Sequence, residues 1–157
     1  MKQKVYIETS IVSYLTARTS RDLIVVAHQK MTEEWWENHR LEFQLYISEI
    51  VLNEASLGDP TASSKRVQAL QGIELLDVSN EAILLSKKLI GPSVLPQKAT
   101  EDALHIAIAT IHKVDYLLTW NCKHIANAKM RLAIETVNEQ CGYKTPIICT
   151  PEELIGE

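Results

Sequence analysis

Cysteine is scarce in this chain, and the three present, Cys122, Cys141 and Cys149, form no CxxC pair. That spacing offers neither a zinc site nor a disulfide framework. No apolar run is long enough to span a bilayer, and the opening residues MKQKVYIETS lack the pattern of a signal peptide. A cytoplasmic protein without a membrane segment is therefore expected. An excess of positive charge is missing too: 16 Lys and Arg stand against 20 Asp and Glu, for a net charge of −4. Recognition of nucleic acid mainly through a basic surface is disfavoured, although bound divalent ions remain a route to phosphates. Repeats, linkers and low-complexity stretches are absent, and 157 residues suit one domain with a substantial core.

What is present is an alternation of short strand-like runs with segments of helical period. Strands are expected over 4–7, 43–48, 73–78, 114–119 and 145–150. The first helix is expected to open at Thr9 or Ser10, plausible N-caps for IVSYL. A long helix over about 21–41 follows, with Leu23, Val26, Ala27, Met31 and Trp35 on its apolar face. Ser48 is expected to cap EIVLNEASLG, with Gly58, Asp59 and Pro60 as the stop, before a short helix over 62–71. Ser79 caps SNEAILLSKKLIG, which Gly91 and Pro92 close. Further helices are expected over 98–113 and 129–140, with short ones in NCKHIANA and PEELIG. Strands separated by helices imply an α/β fold with a mainly parallel five-stranded sheet, in a single domain over 1–157.

Four pieces of chain place polar side chains of ligand type at the boundaries of these elements. Glu8 follows the first strand in VYIETSIVSYL, and Glu54 lies just past the second in YISEIVLNEAS. Asp102 opens the apolar helix TEDALHIAIA, while Asn121 and His124 follow the fourth strand in YLLTWNCKHIAN. Open α/β sheets bind ligands at the carboxyl ends of their strands. Carboxylates gathered there repel one another, which makes a cation their natural partner. Oxygen ligands suit magnesium or manganese, ions that activate water and relieve charge on phosphate oxygens.

Each residue also has a plainer reading. Glu8, Glu54 and Asp102 could be acids complementing the start of a helix. Asn121, Thr9 and Ser10 could be caps. His124 could be structural. His105, one turn beyond Asp102, could stand behind the ligands and support them, or could be a hydrogen-bonded packing residue on a largely apolar helix. Glu49 and Asp115 fall outside the set: Glu49 does not share a helix face with Glu54, and Asp115 starts its strand at the far edge of the sheet. Arg18, Arg21, Lys65 and Arg66 could touch phosphates or simply be surface.

YIETSIVSYL, SEIVLNEA, EDALHIAIA and DYLLTWNCKHI, in that order and spacing over nearly the whole chain, resemble a PIN domain, and within that family the VapC-type toxins of type II toxin–antitoxin modules. The resemblance implies a three-layer α/β/α sandwich and a metal-dependent endoribonuclease. It implies Mg2+ or Mn2+ held by Glu8, Glu54 and Asp102, with Asn121 as the fourth catalytic residue. Thr9, Ser10, Thr119 and His124 would then contact substrate. It also implies RNA as substrate, a cognate antitoxin protein as partner, and a homodimer. The chain departs from the family twice. Glu8 stands where Asp is usual, and His124 stands where a later acid is usual. The departures motivate an alternative, a catalytically weakened PIN-fold module that binds RNA or protein. A carboxylate-based phosphotransfer protein is disfavoured, because IETS lacks a nucleophilic aspartate after the first strand.

Overall fold

A computed structural model of the chain describes residues 1–156; Glu157, counted within the expected domain, lies outside them. Five parallel strands form one sheet: β1 (Lys4–Ile7), β2 (Gln44–Ser48), β3 (Glu74–Leu76), β4 (Tyr116–Leu118) and β5 (Ile147–Cys149). Their order is β3-β2-β1-β4-β5. β1 is central, with Val5 opposite both Leu45 and Tyr116. Val5, Tyr6 and Ile7 are fully buried, as expected of a parallel strand covered on both faces. Each such apolar side chain contributes about 1.5–3 kcal/mol through burial.

The helices are α1 (Thr9–Thr16), α2 (Leu23–Asn38), α3 (Glu49–Ala55), α4 (Pro60–Ala69), α5 (Asn80–Leu89), α6 (Thr100–Ile111), α7 (Ala128–Gln140) and α8 (Pro151–Ile155). They pack as two groups: α1 against α2, α3 and α4, with α8 on α2, and α5 against α6 and α7. Connections run outward from β1 to β2 and β3, then reverse to β4 and β5. Right-handed crossovers send helices reached in opposite directions to opposite faces. The result is the expected three-layer α/β/α sandwich. The reversal also makes the gap between the carboxyl ends of β1 and β4 a topological switch point, where ligands of such sheets bind.

Several local expectations change. α2 is shorter than 21–41, because Asp22 caps it at Ile24 and Val25 and a 3₁₀ turn, Arg40–Glu42, follows it. Trp35 is buried as expected, but Leu23 is 84% exposed, and the polar Gln29 and Thr32 are buried instead. Asp59 and Pro60 do not stop α3. Asp59 accepts from Ala62 N and Pro60 takes the first helical position, so they start α4. Gly58, with φ of +86°, makes the turn between the two helices. NCKHIANA forms no helix. The Asn121 carbonyl accepts from Ile125 and Ala126, and a separate cap, Asn127, then opens α7. Thr9 and Ser10 are not caps either: Glu8 holds the N-cap position of α1, and both hydroxyls are used elsewhere.

Candidate metal and catalytic site

Glu8 sits where β1 turns into α1, its N–H still bonded to Leu118 O of β4 at 3.1 Å. Its side chain is buried. Ser10 Oγ and Thr119 Oγ1 each donate to Glu8 Oε1 at 2.5 Å. Each of these hydroxyls is bonded on a second side as well. The Trp120 N–H donates to Ser10 Oγ at 2.8 Å, and the Asn121 N–H donates to Thr119 Oγ1 at 2.9 Å. A peptide N–H can only donate, so each hydroxyl accepts there; a carboxylate without its proton can only accept, so the hydroxyl protons go to Glu8. Two consecutive amides at the end of β4 therefore orient the carboxylate at the end of β1. Among the described residues no hydrogen bond reaches Oε2 of Glu8.

Glu54, in the last turn of α3, is oriented in the same manner. Oε1 accepts from Thr9 Oγ1 at 2.6 Å and lies 2.6 Å from His105 Nε2 of α6. Burial opposes ionisation of Glu54, but the His105 contact and the Thr9 hydroxyl outweigh it and lower its pKa to about 2. An ionised carboxylate only accepts, so Nε2 carries the proton. Burial likewise opposes charge on His105, yet its bond to Glu54 and the charges of Glu8, Glu54 and Asp102 hold its pKa above the ordinary value. The other ring nitrogen meets Tyr6 OH at 2.8 Å, and Tyr6 OH meets Ser48 Oγ at 2.7 Å. Burial keeps the Tyr6 phenol protonated far above its usual range. Ser48 is thus spent on this buried relay and not on capping α3. Glu101, exposed in the first turn of α6, is raised above the usual carboxyl range by its contact with Glu54.

Asp102 forms the neighbouring group. Oδ1 accepts from Asn121 Nδ2 at 3.0 Å, and Oδ2 lies 2.8 Å from His124 Nδ1. Asn121 Oδ1 in turn accepts from the His124 N–H at 3.1 Å. Asn121 therefore does cap, but it caps the turn that brings His124 onto Asp102.

Ligand atoms of Glu8, Glu54 and His105 lie within 4.8 Å of one another. Two carboxylates, each fixed through Oε1 by internal donors, fit a hard divalent cation. His105 fits less well, since Nε2 would have to release Glu54 before it could bind a metal. Asp102 does not enter that tight group; it stands beside it, close enough for its charge to act on His105. Thr9, Ser10 and Thr119 are brought to the site as supports of the two glutamates. Glu101 is the residue whose place the linear pattern concealed, while His105, already marked by its spacing from Asp102, supports Glu54. Spacing was the available signal for Glu101 too, which lies next to Asp102 in the first turn of α6.

The remaining candidates fall elsewhere. Asp115 accepts from the Lys4 N–H at the amino edge of the sheet, and Glu49 is exposed. Arg66 donates to the carbonyls of Ala55 and Leu57, closing α3. Trp36 lies under the Arg40 guanidinium, 4.9 Å from its ring centre. Among the described residues no helix is long and apolar enough to cross a membrane. No protein-family model, curated protein or solved structure matches the chain.

Proposed function

We propose that this chain is a metal-dependent endoribonuclease with a PIN-like fold, acting as the toxin of a toxin–antitoxin pair. The observation that carries the reading is the meeting of Glu8 and Glu54 at the topological switch point, each with one oxygen fixed by internal donors. Glu8 and Glu54 would hold Mg2+ or Mn2+, with the Asp102 carboxylate as the third acid. The ion would supply a more nucleophilic water and relief of charge on the phosphate. Ser10, Thr119, Thr9 and His105 keep the two glutamates aligned. Asn121 and Asp102 hold His124 at the edge of the site, where it would meet the RNA backbone. The same proposal carries a cognate antitoxin, a homodimer and a cytoplasmic location.

One observation favours the alternative of a weakened RNA- or protein-binding module. Both Asp102 oxygens are engaged internally, by Asn121 and His124. Cleavage of a mixed RNA substrate by purified protein, with chelator, magnesium or manganese, separates the two. The proposal expects metal-dependent cleavage that Glu8→Gln removes. RNA binding without cleavage in either metal would favour the module.

A further inference from the structure

Trp120 has no part in the catalytic set above, yet it is the residue through which α2 reaches the site. Its peptide N–H donates to Ser10 Oγ, which donates to Glu8 Oε1. It lies between Thr119, which also donates to Glu8, and Asn121, which donates to Asp102. The indole is itself anchored at 7% exposure. Nε1 donates to Thr32 Oγ1 at 2.7 Å, and the Thr32 hydroxyl donates to the His28 carbonyl at 2.6 Å. Indole N–H has no acceptor role, so this polarity too is fixed. The His28 ring stacks on the indole at 4.0 Å and 11°, and Tyr14 of α1 packs against both rings. A buried threonine on the apolar side of a long helix is costly unless bonded, and here both its bonding directions are used.

We propose that Trp120 is a positioning residue for metal binding, holding Glu8 in place through Ser10, with Thr32 and His28 as its anchor on α2. The inference rests on the metal-site reading above. Removing the anchor frees the 119–121 segment, and with it the two hydroxyls that aim Glu8. Outer partners of metal ligands change affinity by about tenfold to a hundredfold when lost.

The test is manganese affinity, measured by calorimetry on the full chain, beside a metal-free melt. Thr32→Val and Trp120→Phe should each weaken manganese binding about tenfold. Thr32→Ser, which keeps the hydroxyl, should stay within about twofold of the parent. The double variant Thr32→Val with Trp120→Phe should be no weaker than either alone, since both cut one bond. Ile134→Val, a core truncation on α7, should lower the melting temperature without changing manganese affinity. Should Trp120→Phe fail to fold, Thr32→Val against Thr32→Ser decides. Parent-like affinity in Thr32→Val overturns the positioning role alone. Absence of manganese binding in the parent overturns the metal-site reading and this inference with it.

Discussion

His105 Nε2 lies 2.6 Å from Glu54 Oε1, so a fully buried imidazole on α6 sets the charge of a half-buried carboxylate on α3. The contact holds Glu54 ionised well into acid and raises the pKa of His105 above its ordinary value. Donors on each acid, the His105 and Thr9 groups on Glu54, the hydroxyls on Glu8 and the Asn121 amide on Asp102, offset the repulsion among carboxylates that share one edge of the sheet.

That pair makes metal-free stability depend on pH from both sides. The pKa of Glu54 is depressed, so its contribution is present above the ordinary 4.5 and lost as pH falls toward about 2. The pKa of His105 is raised, so its contribution is present below the ordinary 6.5 and lost as pH rises through the folded value. Urea denaturation across pH, in chelator, should show both losses in the parent. Glu54→Gln should flatten both limbs. An unchanged profile in that variant would show that the contact contributes nothing to stability.

Asp102→Asn is expected to abolish metal-dependent RNA cleavage and leave the chain folded. Asp102 meets Asn121 Nδ2 and His124 Nδ1, and an amide there keeps both contacts only if the His124 proton moves from Nδ1 to Nε2. Two bonds to a carboxylate become bonds to a neutral amide, so the variant should lose about 1 kcal/mol of metal-free stability, although one like charge is gone. A denaturation midpoint at or above the parent's would show that repulsion outweighs these bonds.

At position 8, manganese affinity should fall in the order parent, Glu8→Asp, Glu8→Gln. Asp keeps the charge but withdraws the oxygen from Ser10 and Thr119, whereas Gln keeps the reach and loses the charge. The charge outweighs the reach for a divalent ion. Titration of each variant with manganese checks the order, and equal affinity in all three would remove Glu8 from the metal site.

Arg66→Ala should cost about 1–3 kcal/mol in chemical denaturation, because two carbonyls at the end of α3 lose a charged donor. RNA affinity measured by filter binding should stay at the parent value. A drop in affinity without loss of stability would instead make Arg66 a phosphate contact.

Much of the architecture was legible from period and punctuation. KVYI, QLYIS and the apolar helix around Ala103 and Ile106 carry their structure in local pattern, and Ser79 capped α5 as expected. Errors fell where one residue type serves two uses. Asp59 with Pro60 reads equally as a stop and as a start. Thr9 and Ser48 read as caps until a distant carboxylate or phenol takes the hydroxyl, and Ser10 until the nearby Glu8 does.

The order of runs along the chain determined an α/β protein with a parallel sheet and acids near its strand ends, because those features follow from hydrophobic period and nearest neighbours. Which acids meet was decided only by the tertiary fold. Strand order brings residues 8 and 119 together across 111 positions, and the crossing of α6 over α3 sets His105 on Glu54 across 51. Hydrogen-bond direction was beyond the sequence for the same reason. Ser10 and Thr119 give their protons to the Glu8 carboxylate, which can only accept, while the backbone amides of Trp120 and Asn121 donate to their oxygens.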